Sequence, residues 1–202
     1  MKKKIIVMGT GNAHKVAEIA PLLNAAGLDI DLRAASLYGE FDPDECGATL
    51  EENALIKANA AMALSGEWAL SDDTGLFVDA LDGRPGIYAA RYAGPGCSFD
   101  DNIRKMLGEM SGVPEGKRGA TFSCVIALCR PGLEPLTFRG DCRGRILEAQ
   151  RGVGGFGYDP IFIIDGIEKS FAELNTAEKN VVSHRAIAVK KCREVLKKLL
   201  ID

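Results

Sequence analysis

The sequence is poor in the residues on which several common chemistries depend. It has two histidines, His14 and His184, and no G-x-S-x-G elbow, so a Ser or Cys catalytic triad has little support. Its six cysteines, Cys46, Cys97, Cys124, Cys129, Cys142 and Cys192, include no C-x-x-C pair, whereas a structural zinc site would need closer pairs. Without a secretory signal disulfides are not expected, and Cys124 and Cys192, on apolar faces, should be buried free thiols. No apolar run approaches the roughly 20 residues of a membrane span. The basic start Met1-Lys2-Lys3-Lys4 precedes an apolar run, 5–8, that is too short for a signal peptide, and a cytoplasmic protein is expected. A net charge of −3 argues against broad nucleic-acid binding, which leans on a basic surface, but leaves room for a local basic pocket.

No repeat, low-complexity tract or linker interrupts the 202 residues, a length that suits one domain, 1–202, with two lobes possible. Residues 5–8 read as a buried strand ending in a glycine turn, followed by a helix over 15–26 that Pro21 should kink or break. A second strand fits 30–34. Thr49-Leu50-Glu51-Glu52 has the pattern of a capping box and predicts a helix over 50–64, ended near Gly66. A short strand over 68–70 runs into Ser71-Asp72-Asp73-Thr74-Gly75. A cap at 98–101 precedes a helix reaching about 110, and 121–129 with 136–139 fit a hairpin through Pro131-Gly132. An apolar strand fits 160–164, and 183–200 is an amphipathic helix with lysines on its outer face. Strands and helices interleave, so the class is α/β with a mixed sheet.

The segment Gly154-Gly155-Phe156-Gly157-Tyr158-Asp159-Pro160 is unusual. Three glycines in four positions would weaken any helix or strand interior, so they belong where a backbone bends tightly or approaches a ligand. The aromatics and the carboxylate among them suit a planar heterocycle, although a glycine-rich turn entering the next strand explains the segment too.

Met8-Gly9-Thr10-Gly11-Asn12-Ala13-His14-Lys15 lies where a strand gives way to a helix, a natural anion site. His14 replaces the third glycine of a dinucleotide fingerprint, and the segment is not a Walker A loop. Thr10, Asn12 and Lys15 still offer a hydroxyl, an amide and a cation to phosphate. The adjacent carboxylates Asp72 and Asp73, at a strand end, fit an exposed loop pair or a helix cap, but they repel one another, and a Mg²⁺ bridged to phosphate oxygens is a usual reason to concentrate them. Spacing does not decide whether Glu45, Asp42 or Asp44 supplies a third oxygen. Lys57, Lys179, His184 and Arg185 are further candidate donors, each also explicable as a surface group.

Together, Thr10-Gly11-Asn12-x-x-Lys15, Ser71-Asp72-Asp73-Thr74-Gly75-Leu76, Gly83-Arg84-Pro85-Gly86-Ile87-Tyr88, Phe156-Gly157-Tyr158-Asp159-Pro160 and Ser183-His184-Arg185 resemble the inosine triphosphate pyrophosphatase family. The resemblance runs in order over about 5–200. It implies hydrolysis of ITP, dITP and XTP to the monophosphate and pyrophosphate, with Mg²⁺, by a homodimer that binds a small nucleotide and neither nucleic acid nor membrane. It implies an elongated mixed sheet flanked by helices, with two lobes and the active site in the cleft between them. By motif position Asp73 would bind the metal and act as base, and Glu45 would be the second metal ligand. Thr10, Gly11, Asn12, Ala13, His14 and Lys15 would hold phosphate, although His14 stands where relatives often have glycine. Lys57, Thr74 and Lys179 would contact substrate, and Phe156, Gly157, Tyr158, Asp159, His184 and Arg185 would surround the base. Other classes to weigh are a dinucleotide-binding oxidoreductase, a non-catalytic nucleotide sensor and a pyrophosphatase for modified pyrimidines.

Overall fold

The computed structural model of the chain describes residues 3–24 and 27–201. In chain order they form β1 (Lys4–Met8), α1 (Ala13–Asn24), β2 (Ile30–Ala34), α2 (Leu50–Ser65), β3 (Trp68–Val78), β4 (Pro85–Gly86), α3 (Phe99–Glu109), β5 (Gly119–Arg130), β6 (Leu133–Ile146), β7 (Phe162–Ile164), α4 (Thr176–Val182) and α5 (His184–Ile201). The strands make a mixed seven-stranded sheet in the order β2-β1-β3-β5-β6-β7, with β4 paired to β3 off that path, and helices flank it. β1 is parallel to β2 and to β3, with Lys4 opposite Ile30 and Met8 opposite Leu70, while β6 and β7 are antiparallel.

The chain divides into two compact units. The first comprises residues 1–73, 124–140 and 185–202; the second comprises 74–123 and 141–184. β3, β5 and β6 each continue from one unit into the other. The first unit is built on Ile6, Met8, Ile19, Leu23, Leu70, Ile126, Leu128, Val189 and Leu196, all almost fully buried. The second has its own core, with Leu76, Ile103, Met106, Phe122, Phe162 and Phe171 at its centre.

Most of the expected elements are found, with informative exceptions. α1 runs through Pro21 to Asn24. The proline costs roughly 3 kcal/mol inside a helix, and full burial of Ile19 and Leu23 on the same stripe offsets it. The expected extension of that helix to 26 lies outside the described residues. Thr49 caps α2 by accepting the Glu52 amide hydrogen bond at 3.1 Å, but the Glu52 carboxylate accepts from the Ala48 amide, at 2.6 Å, and not from that of Thr49. Strand β3 spans eleven residues, so the Asp72-Asp73 pair is not at a strand end but within the strand. β5 and β6 are likewise longer than the expected hairpin. The run 160–164 opens as a 3-10 turn (Asp159–Ile161), and a separate short helix, α4, precedes α5. All six cysteines are free, with Cys124 and Cys192 buried.

Candidate functional site

In the first unit the carboxylates of β3 meet cations from three helices. Successive residues of a strand point to opposite faces, so the neighbours Asp72 and Asp73 serve different partners. Lys15 of α1 lies 3.0 Å from Asp72, and Arg185, the second residue of α5, lies 3.4 Å from the same carboxylate oxygen. Arg185 is also paired with Glu18, three residues after Lys15 on α1 and therefore on the same helix face. Burial alone would raise the Asp72 carboxyl, but Lys15, Arg185 and Lys57 outweigh it and hold the group well below the usual carboxylate range.

Asp73 faces Lys57 of α2, whose ammonium is 2.7 Å from Asp73 Oδ1 and 2.9 Å from Glu45 Oε1. Lys57 is 6% exposed. Burial favours loss of its proton, yet Asp73, Asp72 and Glu45 together raise its affinity for it. For Asp73 burial is the largest influence and raises its carboxyl, Glu45 adds to the rise, and the lysines oppose it. The second oxygen, Asp73 Oδ2, is buried and has no hydrogen-bond partner among the described residues.

Backbone packing fixes these positions. A Cβ on Gly9 would stand 2.7 Å from the Lys57 carbonyl oxygen, so this glycine lets α2 close onto the end of β1. Its absence of a side chain is thus explained by packing and not by a dinucleotide. Ser71 Oγ donates to the Ala54 carbonyl at 2.6 Å and ties β3 to α2. Asn53, 1% exposed, accepts from the Gly47 amide at 2.9 Å and anchors the loop that carries Glu45. Of Asp42, Asp44 and Glu45, only Glu45 makes an ion pair among the described residues. In the turn before α1, Thr10 Oγ1 accepts from the Asn12 amide at 3.1 Å and Asn12 Oδ1 accepts from the Lys15 amide at 3.4 Å, as in a helix cap. Gly11 is exposed. The side chains of Ala13 and His14 lie outside the described residues.

The second unit gathers the aromatic candidates. Gly155 and Gly157 have φ of 71° and 63°, the left-handed region that favours glycine. A Cβ on Gly155 would run into the Asp159 carboxylate, which accepts the Phe156 amide at 2.9 Å and the Lys179 ammonium at 2.7 Å. That ammonium also lies over the Phe156 ring, 5.2 Å from its centroid, and over Phe171 at 5.8 Å. His184 is buried and stacked on Phe122, with centroids 4.6 Å apart and planes 9° from parallel. Phe156, Asp159, Lys179, Phe171 and His184 therefore form one connected group. Tyr158 turns away into the core, where its hydroxyl donates to the Ala89 carbonyl at 2.9 Å and burial pushes its pKa up. Thr74, half-buried, follows Asp73 directly on β3.

Nothing in the sequence singles out Glu18, Asn53 or Ser71, and it offers Asp72 only a share in a Mg²⁺ site with Asp73. Lys15 and Glu18 recur at helical spacing, and that was the available signal for one of them. Asn53 and Ser71 carry none, because a polar residue inside a helix or strand reads as surface until its burial is known.

The donor set suits a hard divalent cation. Glu45 and Asp73 offer carboxylate oxygens that already converge on one positive charge, and Asp73 Oδ2 is buried without a hydrogen-bond partner among the described residues. No group of three His, Cys, Asp or Glu residues is poised for a metal among the described residues. Two carboxylates are nevertheless enough for an ion that keeps several waters and takes its other ligands from substrate phosphates, as in many enzymes that cleave nucleoside triphosphates. Among the described residues no helix is long and apolar enough to cross a membrane.

The chain is similar in sequence and in fold to several known proteins. A dITP/XTP pyrophosphatase of Geobacter sulfurreducens is 46% identical over 185 residues, which cover 91% of this chain and 92% of that protein. A HAM1 protein from Coxiella burnetii has a similar solved structure, with a TM-score of 0.88, 37% identity, and coverage of 96% of this chain and 99% of its own. The Staphylococcus aureus Ham1 protein follows at 0.86, with 36% identity and coverage of 97% and 100%. The family model that matches, over residues 6–195, is that of the Ham1 family. With the five sequence motifs, the fold and the relatives in agreement, the chain belongs to the Ham1 family.

Proposed function

We propose that the chain hydrolyses non-standard purine nucleoside triphosphates, dITP, XTP and ITP, to the nucleoside monophosphate and pyrophosphate, and so removes deaminated purines from the nucleotide pool. The observation that carries this reading is the convergence of Glu45, Lys57 and a partly unpartnered Asp73 in one buried cluster. The names of its relatives, dITP/XTP pyrophosphatases, support the substrate class. They lend nothing to an oxidoreductase or a sensor.

The chemistry follows from charge. The α-phosphorus of a triphosphate is shielded by negative oxygens, so cations and a positioned water are required. Mg²⁺ held by Glu45 and Asp73 would supply Lewis-acid polarisation of the phosphate oxygens. Asp73 Oδ2, without a hydrogen-bond partner among the described residues, orients and deprotonates the attacking water. Lys15 and Lys57 offset the charge that builds on the departing pyrophosphate. The turn Thr10, Gly11, Asn12, Ala13 and His14 offers main-chain N–H groups to phosphate at the start of α1. Thr74 adds a hydroxyl.

The base is assigned to Phe156, Gly157, Asp159, Lys179, His184 and Arg185. Phe156 supplies a ring face, Asp159 and Lys179 fix its loop, and the donors select a 6-oxo group. Tyr158 contributes by clamping that loop to Ala89. Asp72 neutralises Lys15 and Arg185 and does not join the metal. The protein is read as one two-lobed domain acting as a cytoplasmic homodimer.

A panel of nucleoside triphosphates with Mg²⁺, scored for both phosphate and pyrophosphate, tests the reading. Pyrophosphate released from dITP, XTP and ITP well ahead of ATP is the expected result. Equal turnover of all purines, or release of orthophosphate alone, would overturn it.

A further inference from the structure

Lys57 occupies the place where the reading above puts a cation. Its ammonium is bonded to Asp73 Oδ1 at 2.7 Å and to Glu45 Oε1 at 2.9 Å, and its side chain is 7% exposed. Two carboxylates brought this close in a partly dry site would repel one another, and the ammonium offsets that repulsion. We propose that Lys57 is an internal stand-in for the divalent cation: it holds Glu45 and Asp73 in place before catalysis, weakens binding of metal alone, and gives way only when a triphosphate offers it other oxygens. The inference rests on the assignment of Glu45 and Asp73 as metal ligands. It adds that the chain takes up metal together with nucleotide and not ahead of it.

Counting charges shows why. Glu45, Asp73 and Lys57 sum to −1, so a divalent ion entering with the ammonium still between the carboxylates would leave +1 and two cations side by side. With the ammonium drawn off to phosphate, the same two carboxylates neutralise the ion fully. The structure confines the exchange to one side chain. The backbone of Lys57 lies within α2, its carbonyl packed where a Cβ on Gly9 would stand 2.7 Å away. The Glu45 loop is anchored by the bond from the Gly47 amide to Asn53 Oδ1 at 2.9 Å. A lysine suits the exchange because its ammonium is a point charge on a flexible four-carbon stem and can re-aim without losing a fixed fork geometry. Asp73 Oδ2, buried and without a hydrogen-bond partner among the described residues, leaves one oxygen ready while Oδ1 is occupied.

The test is a titration with Mn²⁺ alone, followed by the electron paramagnetic resonance signal of the free ion, in the absence of nucleotide. Lys57→Met keeps the stem and removes the charge. It should bind Mn²⁺ at least roughly 10-fold more tightly than the wild type, since a like charge a few ångströms from the ion is removed. Adding Asp73→Asn to Lys57→Met should abolish that gain. Lys57→Gln, which retains a hydrogen-bond donor, is the parallel variant, and circular dichroism establishes that each is folded. Folded Lys57→Met or Lys57→Gln that binds Mn²⁺ no more tightly than the wild type would overturn the proposal. In the wild type, the Lys57 ammonium resonance should stay put with millimolar Mg²⁺ alone and move when a non-hydrolysable triphosphate is added as well; movement with Mg²⁺ alone would also overturn it. Release of pyrophosphate from dITP by the wild type is scored separately, so failure of the pyrophosphatase reading and failure of this one are told apart.

Discussion

Asp72 and Asp73 are adjacent on one strand, yet they meet different cations: Lys15 lies 3.0 Å from the first and Lys57 2.7 Å from the second. The strand's alternation divides their labour. Asp72, fully buried, binds helices α1 and α5 to β3, whereas Asp73 keeps one oxygen without a hydrogen-bond partner among the described residues. Two neighbouring carboxylates thus stand in two separate ion-pair settings.

Asp73→Asn should lower kcat for dITP by roughly 10³-fold, since loss of a general base alone is typically worth about 10²–10⁴. Its fold should survive, because Lys57 retains Glu45. Steady-state kinetics at saturating Mg²⁺, beside a thermal melt, decide it. Retention of more than a tenth of wild-type kcat would move the base elsewhere.

Asp72→Asn should act on stability first. Removing one partner of a buried charge cluster costs about 3–5 kcal/mol; here Lys15 and Arg185 both lose the Asp72 carboxylate, although Arg185 keeps Glu18. The pH dependence has a definite sign. The folded carboxyl lies below its unfolded value of about 3.9, so its stabilisation is present in full above about pH 4 and is lost as pH falls further. Urea denaturation across pH 3–8 should show a constant gap between wild type and variant above pH 5 that narrows in acid. A gap that widened in acid would contradict the assignment.

Arg118 offers a test within the second unit. It is 3% exposed and has no ion-pair partner among the described residues. Its guanidinium donates to four main-chain carbonyls: Ile146 at 2.8 Å, Met110 at 2.9 Å, Val113 at 3.1 Å and Leu147 at 2.8 Å. Arg118→Ala takes a donor from all four carbonyls; Met110 still accepts from the Val113 amide at 3.2 Å, and the other three, each worth about 1–3 kcal/mol when unsatisfied, make a loss of at least roughly 3 kcal/mol the expected result by urea denaturation. Arg118→Lys should recover little of it, because an ammonium cannot reproduce the planar fork.

Much of this was legible from the chain. The caps at Thr49 and Ser98 and the turn residue Gly66 mark helix ends, since capping is local chemistry, and the structure has all three in those roles. The length of β3 was not legible. Ser71 and Asp72 look like loop residues, and only their long-range partners, the Ala54 carbonyl and the charges of Lys15 and Arg185, allow them to sit buried inside a strand. Tyr158 shows the converse limit. It belongs to a recognisable motif, but which way its ring turns is decided by the core around Ala89.

Selectivity for a 6-oxo purine is a further expectation. A donor that pairs with the oxo group of hypoxanthine faces the amino group of adenine unsatisfied, and such mismatches are rejected by up to about 10⁴-fold. The ratio of kcat/KM for ITP to that for ATP should therefore be at least roughly 10². A ratio near one would remove the base-reading role from His184 and Arg185.

The most direct test is hydrolysis of dITP in ¹⁸O-labelled water with Mg²⁺, with both products analysed by mass spectrometry. Attack of water on the α-phosphorus, with Asp73 as base, puts one label in the monophosphate and none in the pyrophosphate. Label in the pyrophosphate, or release of orthophosphate with the diphosphate, would contradict the account.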